Sequence, residues 1–173
     1  MREPKKAQDE DFQVFVVAVW PRLLRTAFLL TGQQQAGEDL VQSTLERAYA
    51  AWGKVRKANT PEAYVRRILV NEHARRLRRR VPEQLVTELP ERAAQDGFGG
   101  LDERGVLLKA LAELPPRQRQ AVVLRYWEDL SESQAAAAMD CSVGTVKSHA
   151  SKGIAKLRAS SALTGMTQIK ETV

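Results

Sequence analysis

The 173-residue chain holds a single cysteine, Cys141, and two histidines, His73 and His149. One thiol excludes an internal disulfide and a multi-thiolate cluster, and the two histidines do not stand at metal-ligand spacing. No metal and no cofactor is expected. The chain also lacks a Ser/His/Asp set, a Gly-rich phosphate loop with its lysine and a Cys/His cluster, so it is not expected to be an enzyme by itself. No window is read as approaching the ~20 apolar residues of a membrane span. Met1-Arg2-Glu3-Pro4-Lys5-Lys6 runs into acids rather than a signal-peptide apolar core, which makes a cytoplasmic location the expectation. Sustained apolar/polar alternation is missing too, and almost no strand is expected.

What the chain does have is the balance of a globular protein, 43% apolar and 28% charged, in a length suited to one ordinary domain or two small ones. Its formal net charge is +6. Residues 1–52 carry −1, residues 53–80 carry +8 from ten basic and two acidic side chains, residues 81–105 carry −4, and residues 106–173 carry +3. Two basic bodies joined by an acidic linker follow from this asymmetry, and a concentrated positive charge points to a polyanionic partner.

Apolar residues recur at threes and fours almost throughout, so the expected fold is all-α. Phe12, Phe15, Val16, Val19, Leu23, Leu24, Ala27 and Phe28 form one long face, which Pro21 is expected to kink or split before Thr31-Gly32 closes the helix. From about Ala36 a second stripe runs through Leu40, Val41, Leu45, Ala48, Tyr49 and Trp52, with Gly53 as its end. After a polar loop, Lys54 to Asn59, Thr60-Pro61 starts a helix reaching about Arg80. Its apolar positions are read as Tyr64, Ile68, Leu69, Ala74 and Leu77. Arginines crowd the remainder, at a density that is costly without a counter-charge.

The stretch from Val81 to Gly100, with two prolines and several acids, reads as linker. Leu101 to Leu114 is a helix, and Pro116 opens another carrying Ala121, Val122, Leu124 and Tyr126. Ser131-Glu132-Ser133-Gln134 has the form of a capping box ahead of a short alanine-rich helix. Asp140-Cys141 makes a tight turn, Ser142 caps the next helix, and Val146, Ala150, Ile154 and Leu157 form its inner side. Short helix, turn, basic helix is the helix-turn-helix layout. It sets Thr145, Lys147, Ser148, His149, Ser151 and Lys152 to read bases or grip phosphates, with Lys156 and Arg158 extending the contacts. A plain helical hairpin with a solvated lysine face satisfies the same spacing, and an arginine run is by itself an ordinary solvated face.

Ala36-Gly37-Glu38-Asp39-Leu40-Val41-Gln42, Asn71 followed by the arginine cluster, Leu114-Pro115-Pro116-Arg117-Gln118-Arg119, Leu130-Ser131 and Cys141-Ser142-Val143-Gly144-Thr145-Val146-Lys147-Ser148 resemble, in order and spacing, the extracytoplasmic-function sigma factors of bacterial RNA polymerase. The likeness covers about residues 10–160. Ser151-Lys152-Gly153-Ile154-Ala155-Lys156-Leu157-Arg158 is most similar to the sigma-E-type branch common in actinobacteria.

The resemblance implies two small helical domains: residues 1–80, sigma-2-like, for core polymerase and the −10 element, and residues 101–159, sigma-4-like, for the −35 element. A flexible linker over 81–100 and a tail over 160–173 complete the chain. It implies that Glu38, Asp39, Leu40, Gln42 and Glu46 dock on the coiled coil of the polymerase β′ subunit, with the β subunit as a further partner. Lys54, Arg56, Lys57, Asn59, Arg66, Arg67, Asn71, Arg75, Arg76 and Arg79 resemble the part that captures the melted −10 strand. An unstacked base needs amide-type hydrogen bonding and the backbone needs cations. Trp52 and Tyr64 are candidates to stack on a flipped base, with core packing as the competing fate. Ser142, Thr145, Lys147, Ser148, His149, Ser151 and Lys152 fall to the −35 element. The family often uses an anti-sigma protein that clamps the two domains together.

Two positions depart from the family pattern. Asp140 stands where glycine is usual in the recognition turn, a left-handed position that aspartate tolerates at small cost. His149 stands where many members carry arginine, so its protonation would tune phosphate contact. Two other classes fit the same residues: a polymerase-independent helix-turn-helix regulator that binds as a dimer, and a helical adaptor for acidic proteins. A sigma-like chain is expected to be monomeric when free.

Overall fold

The computed structural model describes residues 5–80 and 103–160, and among them the regular structure is helical with no strand. The expected linker, Leu101 and residues 161–173 of the tail lie outside the described residues. The first half comprises α1 (Lys5–Thr31), α2 (Gln34–Ala50), a single turn α3 (Trp52–Val55) and α4 (Pro61–Arg80). In the second half α5 (Glu103–Ala112) and α6 (Pro116–Val122) lead through a wide turn, Val123–Trp127, to α7 (Glu132–Met139) and α8 (Val143–Ala159).

Contrary to the sequence expectation, α1 passes through Pro21 as one helix. Proline deprives the Val17 carbonyl of its partner, but Val17 is 76% exposed, so water can meet that oxygen. A second correction concerns hydropathy. An 18-residue window of α1 has a mean hydropathy of 1.6, long and apolar enough by length and composition to cross a membrane. Here its inner side, Val19, Leu23, Ala27, Leu29 and Leu30, is core.

The second helix stops at Ala50 and not at Gly53, because Ala51 leaves helical geometry at φ −104° and ψ 15°. The break lets Trp52 turn inward, 3% exposed, with its ring 5.1 Å from Phe12 and 5.0 Å from Phe15 and its Nε1–H donating to Asp11 Oδ2 at 3.2 Å. Lys54 therefore belongs to α3 and not to a loop. Helix α4 opens at Pro61 as expected, but its buried side is Val65, Leu69, Val70, His73 and Ala74 with Glu72, whereas Tyr64 is exposed. Two neighbours, α1 and α2, press on α4, and their combined footprint is broader than a single stripe.

In the second half α6 widens at Val123–Trp127, where the Glu128 N–H reaches back to the Val123 carbonyl at 3.0 Å and the Leu130 N–H to Leu124 at 2.9 Å. The widened turn swings Tyr126 out to 63% exposure, against the apolar assignment of that residue. The capping box at Ser131 and Gln134 forms in full. Asp140 takes the left-handed conformation, φ 53° and ψ 51°, and Ser142 caps α8 by accepting from the Thr145 N–H at 3.1 Å. Helices α6 and α8 approach closely: a β-carbon on Gly153 would lie 2.6 Å from Val122 Cγ2.

The two halves are not separate bodies in this structure. α1 packs on α5, α6 and the wide turn, α4 packs on α7, and the buried apolar side chains of both halves form one continuous cluster.

Candidate nucleic-acid and polymerase interface

The counter-charge that the arginine-rich helix needs is Glu72, two turns before its end. Its side chain is 6% exposed and lies 3.0 Å from Arg47 Nε, 2.8 Å from Arg75 Nη2 and 3.5 Å from Arg76 Nε. Burial pushes this carboxyl up, but the hydrogen bonds from Arg75 and Arg76 and the charges of Arg47 and Arg75 together hold it below the usual carboxylate range. Arg76 also donates to the Asp39 carbonyl at 3.3 Å and to Ser43 Oγ, tying α4 to α2. Arg75 and Arg76 thus have structural partners. Arg67, Asn71 and Arg79 are exposed on α4, and Lys54, Arg56, Lys57 and Asn59 are exposed ahead of it. Trp52 is committed to the core, while Tyr64, 38% exposed, keeps an open ring face.

On α2, Asp39, Gln42 and Glu46 are exposed and Glu38 half-buried, with Gln34 Nε2 donating to Glu38 at 3.1 Å and Gln35 Nε2 to Asp39 at 3.1 Å. Leu40 is 0% exposed, a correction to its assignment as a docking contact. It lies on the inner side with Val41 and Thr44, and a leucine there holds the helix against α1. Gly37 permits that approach, since a β-carbon on it would fall 2.3 Å from Phe28 Cδ1.

Helix α8 divides cleanly. Val146, Ala150, Gly153 and Leu157 are buried, whereas Ser142, Lys147, Ser148, Ser151 and Lys152 are exposed and Thr145 is half-buried beside the cap. Lys147 Nζ lies 3.4 Å from Glu132 on α7. His149 is half-buried, and burial, then the charges of Arg117 and Lys152, hold its imidazole below the ordinary value. Its Nδ1 is buried without a hydrogen-bond partner. The pH tuning expected of this position therefore moves away from neutrality. Cys141 is half-buried against the core, as a small turn residue.

Residues 15–82 match the family model for sigma-70 region 2, and residues 104–157 match that for sigma-70 region 4. The RNA polymerase sigma-E factor of Streptomyces coelicolor is 36% identical over 149 residues, covering 86% of this chain and 84% of that protein. The chain belongs to the extracytoplasmic-function sigma factors. The relatives include an ECF RNA polymerase sigma factor of Rhodopseudomonas palustris, 32% identical over 83% of this chain and 81% of that one. The sigma factor RpoE of Bartonella quintana, solved in complex with the anti-sigma factor NepR, superposes with a TM-score of 0.64 at 30% identity, covering 90% of this chain and 98% of that chain. As an alternative sigma factor the protein binds core RNA polymerase and directs promoter-specific transcription initiation.

Sequence reasoning missed the residues that join the two halves of this sigma factor. Glu128, its side chain 3% exposed, lies 3.2 Å from Arg66 Nε and accepts from Thr26 Oγ1 at 2.7 Å. Trp127 Nε1 donates to the same Thr26 hydroxyl at 3.1 Å, with the Arg25 guanidinium 6.0 Å above its ring. Arg119 is buried, and desolvation lowers its pKa to about 10. It donates to the Leu30 carbonyl at 3.0 Å and the Ala112 carbonyl at 3.1 Å, which caps the last turn of α1 from the other half. Gln120 Nε2 donates to His73 Nδ1 at 3.4 Å. No periodicity could mark these polar groups, because each has a partner 47 to 102 positions away.

Proposed function

We propose that the exposed polar side of α2, chiefly Asp39 and Gln42 with Glu38 and Glu46, docks on the β′ coiled coil of core polymerase, with the β subunit contacting the second half. Residues 1–80 then handle the −10 element and residues 101–159 the −35 element, with residues 81–100 as the connector. Lys54, Arg56, Lys57, Asn59, Arg66, Arg67, Asn71 and Arg79 hold the melted −10 strand. Arg75 and Arg76 serve mainly to fix α4 through Glu72. In the −35 major groove Lys147 and Lys152 neutralise phosphates, and Ser142, Thr145, Ser148 and Ser151 reach toward bases. The factor acts without catalysis of its own, as a monomer when free, in the cytoplasm and at the nucleoid when bound to polymerase.

The observation that carries this reading is the two-sidedness of α8. Four small or apolar residues seat it in the core, and its exposed side at the N-terminal end holds cations and hydroxyls, the geometry of major-groove entry. Run-off transcription from a pool of genomic promoter fragments, with purified core polymerase and with or without this protein, tests it. Discrete transcripts only in its presence, sharing −35 and −10 sequences, are the expected result. Their absence together with absent core binding would favour a polymerase-independent regulator.

A further inference from the structure

The two helices of the helix-turn-helix differ in the charge they bring to DNA. Lys147, Lys152, Lys156 and Arg158 are exposed along α8. Among the described residues, Lys147 is the one of these with an acid in ion-pair range: its Nζ lies 3.4 Å from a carboxylate oxygen of Glu132, the first residue of α7. Both side chains reach solvent, at 60% and 39% exposure. The capping box of α7 is complete without this acid, since Ser131 and Gln134 supply both of its hydrogen bonds.

The place of the Glu132 carboxylate conflicts with a grip on the DNA backbone alone. In helix-turn-helix docking the first helix crosses the backbone while the N-terminal part of the second enters the major groove. A phosphate oxygen bonded to Lys147 Nζ at about 2.8 Å lies within about 6 Å of the carboxylate. Two anions at that separation repel, so Glu132 opposes any duplex that offers Lys147 only phosphate. What a carboxylate can gain in the groove is narrow. It is acceptor-only, and the donors on major-groove edges are the amino groups of cytosine N4 and adenine N6. On adenine the amino group stands beside N7, an acceptor that opposes the second carboxylate oxygen, whereas cytosine has a C–H there. A glutamate therefore matches cytosine.

We infer that Glu132, on the first helix of the helix-turn-helix, determines one base of the −35 element by repelling duplexes that offer only phosphate and accepting from the N4 amino group of a cytosine within its reach. Lys147 is released to a phosphate as the carboxylate turns to that base. Specificity lies in the coupling, because a repulsive element against the wrong sequence is joined to a hydrogen bond with the right one. The inference rests on the −35 reading of α8 proposed above.

Selection of −35 sequences from a randomised promoter library tests it, using polymerase holoenzyme that carries the wild-type factor, Glu132→Gln or Glu132→Ala. The wild type is expected to enrich cytosine about tenfold at one position of one strand. Glu132→Gln is expected to exchange that cytosine for adenine, since an amide matches N6 and N7 together. Glu132→Ala is expected to lose the preference at that position alone and to bind duplexes lacking the cytosine several-fold more tightly at fixed salt. Neither substitution touches the capping groups of α7, and urea midpoints check that both variants are folded. Identical base preferences in all three proteins overturn the inference and leave Glu132 in an exposed pair with Lys147. A wild type that enriches no −35 sequence removes the −35 reading of α8, and this inference with it.

Discussion

The guanidinium of Arg119 fills the space that a β-carbon on Gly32 would take: the ideal Cβ position is 2.7 Å from Arg119 Nη1. Gly32 also has φ +70°, in the left-handed region that a β-carbon disfavours. One glycine thus ends α1 and admits the arginine that caps it from 87 positions away. Gly32→Ala is expected to destabilise the protein by about 1–3 kcal/mol, combining backbone strain with a displaced Arg119. Urea denaturation reads this directly, and a midpoint equal to that of the wild type would show that Arg119 is not held there.

Acidification should weaken the fold before the carboxylates titrate. Burial, then the charges of Arg119, Arg117, Arg76 and Arg80, holds His73 at about 4 in the native protein, against ~6.5 when unfolded. The unfolded chain therefore binds the proton first. Stability from this group is complete above about pH 6.5 and is lost as the pH falls toward 4, on the order of 3 kcal/mol in all. The proton would also displace the Gln120 amide from Nδ1. Glu72, held low by its arginines, adds a further loss at lower pH. Urea midpoints between pH 7.5 and 4.5 should slope for the wild type and flatten for His73→Gln; equal slopes would exonerate His73.

Leu40 and its neighbours on α2 should separate folding from docking. Leu40→Ala is expected to cost about 2–5 kcal/mol, because it empties a fully buried site. Asp39→Ala with Gln42→Ala, both exposed, is expected to leave the urea midpoint within about 0.5 kcal/mol and to weaken core-polymerase binding. Core affinity unchanged in the double variant would take the docking role away from this face.

Lys147 offers a test of the −35 assignment. It is exposed and its only described ion pair is to Glu132 at 3.4 Å, an exposed pair worth little to stability. Lys147→Ala is expected to lower holoenzyme binding to −35 DNA and to reduce the log–log salt slope by roughly 0.9, one phosphate contact. A slope that does not move would return Lys147 to a solvated face. Ser142→Ala should instead cost about 1 kcal/mol of stability through the lost cap.

Much of this was legible beforehand where the cause is local. Capping at Ser131 and Ser142 involves groups three residues apart, the left-handed Asp140 follows from the turn between two helices, and the start at Pro61 follows from a missing N–H. Errors arose where local preference met a neighbour. Pro21 reads as a break, yet α1 continues through it, in a turn where Val17 is 76% exposed. Trp52 reads as the end of a stripe, yet two phenylalanines of α1 draw it into a separate turn. Tyr126 reads as core, yet the widened turn expels it.

The amino-acid sequence by itself determined the helices of the described residues, where positive charge concentrates and the order of motifs that marks the family, because helical periodicity, capping and charge density act over a few residues. Only the tertiary structure decided which cations are already spent on Glu72, that Leu40 is core, and that Glu128, Thr26, Arg66, Arg119, Gln120 and His73 join the halves. A buried polar group is stabilised by its partner in space, and the spacing of residues along the chain carries no record of which distant group that partner will be.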